Sequence, residues 1–313
     1  MEVASPKGST HKRTRSLFLD HPAIARAQRK HFLLLDALPV ILSILSVVYL
    51  IQVGLRADDW AVFGFMWVIT AFGIEGGHHR LFSHRAYIAT KPFKVIMAFL
   101  SHLSGQGTIA SWASTHRHHH QYSEKDEDTH SPYTGQQITV RSFLKSHFLW
   151  KWNYRYPNPI HYSIDILKDK TLRSMDKLYY LNVVSGVLLS GVLNFLLSGE
   201  VRGFLVGLAF GGIIRLTLTQ HFTWMINSVC HIFGKKNYRT GDESRDNFWL
   251  VIPTLGGAWH NTHHAFPNSP RNDLIKKRID PTYYILKLFG SFGLLKLNRW
   301  PTEELTWVKK IDH

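Results

Sequence analysis

The chain has 313 residues, a formal net charge of +15, 20 histidines and one cysteine. A single cysteine, Cys230, excludes an intramolecular disulfide, thiolate zinc ribbons and cysteine-ligated iron–sulfur clusters, so any metal must be held by imidazole, carboxylate, amide or water. A basic excess of this size suits nucleic acid, anionic membrane surfaces or anionic small molecules, and the apolar runs below favour the last two and argue against nucleic acid.

Residues 1–31 are basic and polar, with Lys7, Lys12, Arg13, Arg15, Arg26, Arg29 and Lys30, and they lack the apolar core and cleavage site of a signal peptide. The run FLLLDALPVILSILSVVYLIQVGL (32–55) is almost wholly apolar. It has the ~20 residues a helix needs to cross a bilayer. After the four-residue break RADD comes a second span, WAVFGFMWVITAFGIEGG (60–77). Residues 78–177 are polar and histidine-rich. Spans three (178–199) and four (203–226) are joined by another short turn, and 227–313 are polar and basic. The expected fold is therefore an all-α integral membrane protein. Two transmembrane hairpins carry a helical cap, and the domain boundary falls between 31 and 32. The positive-inside rule puts both termini, 78–177 and 227–313 in the cytoplasm and the two short breaks on the other side.

The histidines are scattered, which excludes a terminal tag, and they cluster. HRLFSH holds His79 and His84, HRHHH holds His116, His119 and His120, HNTHH holds His260, His263 and His264, and His231 follows the fourth span in NSVCH. Residues i, i+3 and i+4 share one face of a helix, so each HxxHH unit aims three imidazoles one way. The nine candidate nitrogens exceed the three or four protein ligands of a typical zinc site, which points to two ions side by side. His78 and His118 fall outside the repeated spacing, and His102, His130, His147 and His161 match no cluster. One of Asp126, Glu127 and Asp128 is expected to orient a ligating histidine. Spacing alone leaves iron, zinc, copper and nickel open.

The motifs HRLFSHRAY, HRHHHQYSEKDEDTHSP, NSVCH and GAWHNTHHAFP resemble, in order and spacing, the membrane-bound fatty acyl desaturases, on the bacterial side of the branch that includes the stearoyl-CoA desaturases. The resemblance covers most of the chain, from Phe32 to Asn298. It implies two iron ions ligated by His79, His84, His116, His119, His120, His231, His260, His263 and His264, with Asn227 reaching one metal through a water. It also implies O2 as co-substrate and a cis double bond, at the delta-9 position, in a saturated acyl chain. Position selectivity calls for a narrow apolar tunnel. Trp112 matches a family tryptophan, and Phe63 and Trp67, one helical turn apart, are candidates for its closed end. Cys230 reads as a small buried residue and not as a ligand.

Two departures bear on partners. Ser114-Thr115 stands where animal acyl-CoA enzymes carry Arg-Asp, so the acyl carrier is CoA, a carrier protein or a membrane lipid. Lys145, Lys151 and Arg155 form a basic stretch suited to phosphates or lipid headgroups. No haem motif of a fused cytochrome b5 domain is present, so electrons are expected from a separate ferredoxin or cytochrome b5. The location implied is a bacterial inner membrane, with the endoplasmic reticulum as the alternative. The same motifs admit a lipid hydroxylase, epoxidase or acetylenase. A metal transporter fits poorly, because it would place its ligands near the bilayer midplane.

Overall fold

The computed structural model describes residues 16–133, 137–275 and 278–311. Four helices are long and apolar enough to span a bilayer: α1 (Pro22–Val53), α2 (Ala57–Ser83), α5 (Tyr179–Ser198) and α6 (Val201–Ile232). Between α2 and α5 lie α3 (Lys91–His102) and α4 (Ile109–Tyr122), followed by shorter helical turns. After α6 come α7 (His260–Ala265), α8 (Pro281–Ser291) and α9 (Glu303–Lys309). The only sheets among the described residues are two antiparallel ribbons. One pairs β1 (Phe18–Leu19) with β3 (Tyr156–Pro157), the other β2 (Tyr87–Ala89) with β4 (Leu295–Leu297).

The chain is a helical membrane protein, as its hydropathy pattern implies, but three helix ends differ from the apolar runs. Helix α1 starts at Pro22, ten residues before the first run, so it crosses the expected boundary at 31/32. The basic residues at 7, 12, 13 and 15 lie outside the described residues. Helix α2 runs to Ser83 and α6 to Ile232, beyond residues 77 and 226 where apolarity fades. Hydrogen bonding carries a helix past the point where lipid would accept its side chains, provided protein buries them, and all eleven residues Gly73–Ser83 are buried.

The outer faces of the spans are what lipid requires. Ile41, Ile44, Leu45, Val48 and Ile51 of α1 are largely exposed, as are Leu188, Leu196 and Leu197 of α5. Inside, small residues bring α5 and α6 together: a Cβ on Gly207 would lie 2.4 Å from the Ser190 carbonyl oxygen. At the tips of the hairpins, buried Asp59 accepts from Asn194 Nδ2 (2.7 Å) and Arg202 Nη2 (3.1 Å), and Arg56 pairs with Glu200 at 2.9 Å. These contacts tie both short turns to each other. Removing one partner from a buried charge pair typically costs roughly 3 kcal/mol. Asp59→Ala should therefore lower the unfolding temperature in mixed micelles clearly, whereas Arg56→Ala, at an exposed pair, should change it little.

Candidate metal centre

The first ligand pair depends on a widened helix. Residues Gly73–Ser83 of α2 are π-helical, and the His84 N–H donates to the His79 carbonyl at 3.1 Å, an i to i+5 closure. On an ordinary α-helix, positions five apart diverge; here they converge. The close approach of α3 depends on Gly73, where a Cβ would meet the Leu100 carbonyl carbon at 2.3 Å. Helix α4 supplies His116, His119 and His120, the end of α6 supplies His231, and α7 supplies His260, His263 and His264.

All nine converge, in two groups. Ligand atoms of His79, His84, His116, His120 and His263 lie within 4.8 Å of one another, and so do those of His119, His231, His260 and His264. The HxxHH units are therefore split. In each, one histidine joins a different group from its two partners: His119 in α4 and His263 in α7. The clusters interleave, so the two centres are adjacent.

Carboxylates fix the tautomers. His79 Nδ1 donates to Glu75 Oε1 at 2.8 Å, His119 to Asp128 at 3.0 Å, His231 to Glu124 at 3.0 Å and His264 to Asp242 at 2.6 Å. With the proton on Nδ1, each Nε2 turns a bare lone pair inward. Burial pushes His84, His116, His120, His260 and His263 well below the ordinary imidazole value, and neighbouring imidazoles push the same way. Burial also lowers His264, to about 4, against the opposing pull of Asp242. Burial raises the Asp128 carboxyl, but His119 and His130 outweigh it and hold it well below the usual carboxylate range.

The arrangement fits cations. In the first group Nε2 atoms form a chain, His84–His116 at 2.7 Å, His116–His120 at 3.1 Å, His120–His263 at 2.9 Å and His263–His79 at 2.9 Å. One imidazole nitrogen either donates or accepts, so protons alone would leave His116 and His263 each splitting one N–H between two acceptors. Two ligand nitrogens ~2.1 Å from a shared ion at right angles lie ~3 Å apart, which matches these separations. In the second group, His264 Nε2 and His260 Nδ1 are buried with no protein partner. An all-imidazole donor set suits iron, zinc, copper or nickel.

Of the acidic trio, Asp128 reaches a histidine, while Asp126 and Glu127 are exposed. Three carboxylates escaped the sequence reading. Glu75 carries a signal, since a carboxylate inside an apolar span is costly without a role. Glu124 and Asp242 sit in loops far from their partners and carry none. Glu75 is itself held by buried Arg80, which also pairs with Asp280 at 2.8 Å and so anchors α2 to the start of α8. His78 and His118 are buried outside both groups, and the His130 ring lies tilted 4.4 Å from that of His119. Cys230 is buried and belongs to neither group.

A cavity of about 460 Å³ adjoins the first group, lined among others by Gln28, Trp112, His116, Trp150, Thr223 and Asn227. Trp112 stacks on His116 at 4.7 Å. Phe63 and Trp67 do not line this cavity. Phe63 stacks on Phe210 at 4.2 Å, deep among the spans. Trp67 donates from Nε1 to the Pro253 carbonyl (3.2 Å) and packs on Phe222 at 5.4 Å. Phe222 and Pro253 wall a second, small recess of about 10 Å³, also lined by Ala71, Glu75 and Thr223. Thr223 borders both spaces. Asp242→Asn should weaken metal retention in the second group about 10- to 100-fold, read by metal analysis after dialysis against a graded chelator; unchanged retention would show that Asp242 does not orient His264.

Comparison with known proteins agrees with this geometry. The fatty acid desaturase family matches residues 58–284. The hex-5-enoyl-[acyl-carrier protein] acetylenase of Moorena producens (strain JHB) is 32% identical over 99% of this chain and 98% of its own length. Delta-9 acyl-lipid desaturase 1 of Arabidopsis thaliana is 31% identical over 76% of this chain and 74% of its own. An acyl-CoA C20 Delta5-desaturase of Anemone leveillei is 31% identical over 78% and 74%. With buried histidine groups able to hold metal and four membrane-spanning helices, the chain belongs to the fatty acid desaturase family, whose members are oxidoreductases.

Proposed function

We propose that this protein is an O2-dependent desaturase that places a cis double bond at the delta-9 position of a saturated fatty acyl chain, at a di-iron centre. The observation that carries the reading is the pair of interleaved imidazole groups beside a cavity that His116 lines. Five histidines, His79, His84, His116, His120 and His263, would hold one iron. His119, His231, His260 and His264 would hold the other, with Asn227, on the cavity wall four residues before His231, reaching it through a water. A bound iron pair supplies the oxidising power, with O2, to break unactivated C–H bonds; zinc could not. In the overall balance, O2 takes two hydrogens from the acyl chain, with two electrons from a donor protein and two protons from solvent, giving two waters.

The protein's own part is to bind, align and shield. Trp112 lies flat against His116 and covers one side of the first group. Glu75, Asp128, Glu124 and Asp242 keep protons on Nδ1 and lone pairs inward. An acyl chain entering the larger cavity and reaching toward the recess passes Thr223, and the end wall of the recess, backed by Trp67, limits how far it goes. Selectivity among chemically equal methylenes then follows from depth. The three relatives act, by name, on carrier-protein, lipid and CoA substrates, so the head group is one of these three. Electrons come from a separate ferredoxin or cytochrome b5, and the protein sits in a bacterial inner membrane with both termini in the cytoplasm.

Expression in a host without an aerobic desaturase, beside His119→Ala, tests the reading by gas chromatography–mass spectrometry of fatty acids with double bonds located by derivatisation. A single new monounsaturated acid, absent from the variant, is expected. A hydroxy or epoxy product would move the protein to an oxygenase, and an alkyne would place it with the Moorena acetylenase. Trp67→Ala should shift the preferred acyl chain to greater length by a few carbons; an unchanged chain-length profile would show that Trp67 does not limit the acyl chain.

A further inference from the structure

We propose that α9 and the loop between α6 and α7 form the docking face for an acidic one-electron carrier protein, with electrons entering the metal centre at His264. The inference rests on the redox reading above and adds where the reductant binds. Of the four histidines of the second group, His264 is the one tied to this face: its Nδ1 donates to Asp242 of the α6–α7 loop, and the next residue, Ala265, accepts from Lys309 of α9.

The chain builds a surface directly over it. Helix α9 exposes Leu305 (46%), Trp307 (77%) and Val308 (61%). Its end is fastened to the metal-bearing segments. Tyr238 bridges Lys310, the Arg239 N–H donates to the Lys309 carbonyl at 2.7 Å, and the Ile311 N–H donates to the Asn237 carbonyl at 2.9 Å. Lys309 Nζ donates to the carbonyl of Ala265, the residue after His264, at 2.7 Å. Two short connections therefore join this surface to His264. One runs from Lys309 through the Ala265 peptide. The other runs from Arg239 along the loop to Asp242, which accepts from His264 Nδ1.

The charge around the apolar centre selects the partner. Lys235, Arg239 and Lys310 are exposed, and none has a carboxylate partner within ion-pairing distance among the described residues. The neighbouring acids of the loop are already engaged: Asp242 with His264, Glu243 with Lys236 and Arg245, Asp246 with Arg278. Glu303 and Glu304 open α9 at the end away from Lys309 and Lys310, so an acidic protein would meet the three unpaired cations at the fastened end of the helix and on the loop. An apolar centre with a charged rim is the anatomy of a transient complex, in which charge steers encounter and a small buried area lets the partner leave. Leaving is required here. Each carrier delivers one electron, becoming oxidised as the metal centre is reduced, and one turnover needs two such encounters.

The test uses the full chain, iron-loaded, in nanodiscs of neutral lipid. Metal-centre reduction is followed by stopped-flow absorbance with reduced plant-type ferredoxin, with reduced cytochrome b5, and with dithionite. In wild type, reduction by one of the two proteins should slow as salt rises. In the triple variant Arg239→Glu, Lys310→Glu, Trp307→Ala that rate should fall at least tenfold and lose its salt dependence, while the dithionite rate stays unchanged. Lys235→Glu alone, remote from the α9 contacts, should give a smaller loss and guards against misfolding of the triple variant. Equal protein-driven rates in wild type and variants would overturn the proposal. So would a wild type that dithionite reduces but neither carrier does, or a triple variant that converts a dimer to a monomer. Dithionite-reduced wild type that takes up O2 yet forms no altered acyl product would sink the desaturase reading while leaving the docking result standing.

Discussion

An imidazole can offer a lone pair from one ring nitrogen only while the other keeps its proton, and four carboxylates keep that proton in place here. Glu75, Asp128, Glu124 and Asp242 each accept from the outer nitrogen of a histidine whose inner nitrogen faces a metal group. Without them nothing would hold the proton on the outer nitrogen, and each ring could turn either nitrogen inward. The carboxylates themselves are buried or half-buried, so each needs further support. Glu75 has Arg80, and Arg80 has Asp280. Asp242 also accepts from the Ser244 N–H at 3.0 Å, and Glu124 takes the Glu243 N–H at 2.8 Å. The centre is thus the inner layer of a polar network that reaches α8 and the loop after α6. In a low-dielectric setting such a network is stabilising only when every member is satisfied.

That requirement explains why α2 and α6 do not stop at the membrane surface. His79 and His231 must stand on rigid elements, because loops would place them too loosely for coordination. Extending two spans into the cap solves this, at the cost of burying a stretch of α2 that holds Glu75, His78, His79 and Arg80. The π-helical register over Gly73–Ser83 then sets the five-residue spacing of His79 and His84 on one side. Small residues let α3 close over that stretch.

Much of this was legible in the sequence. The apolar runs placed four spans, and the HxxHH spacing picked out six of the nine histidines that converge, with His79, His84 and His231 coming from HRLFSH and NSVCH. What was not legible follows from the same physics. Hydropathy registers where lipid ends but not where a helix ends, so His78–Ser83 looked like the start of a polar segment. A periodicity of 3.6 puts His116, His119 and His120 on one face but cannot say that two neighbouring histidine groups divide them. Glu124 and Asp242 act across 107 and 22 residues of chain, beyond any local pattern. Phe63 and Trp67 share a helical face, yet Phe63 meets Phe210 while Trp67 meets the Pro253 carbonyl, a difference decided by segments far downstream.

The two ends of the bundle are built for different work. At the hairpin tips Asp59, Asn194 and Arg202 lock together, and Gly207 lets α5 and α6 touch backbone to backbone, leaving no room between helices. At the other end the helices are held apart. The segment before α1 is strapped to the cap by the β1–β3 ribbon and by Gln28 Nε2 donating to the Tyr154 carbonyl at 3.0 Å. Buried Asp36 and Lys151, 2.5 Å apart, brace α1 against the cap just below. Between these struts lies the larger cavity, with Ile24, Gln28 and His31 of α1 on one wall and Trp112 and His116 of α4 on another. A bundle packed tightly throughout would exclude an acyl chain, and one splayed throughout would let the cap drift relative to the ligands on α2 and α6. Tight packing at the tips lets the opposite end stay open while the positions of His79 and His231 remain fixed.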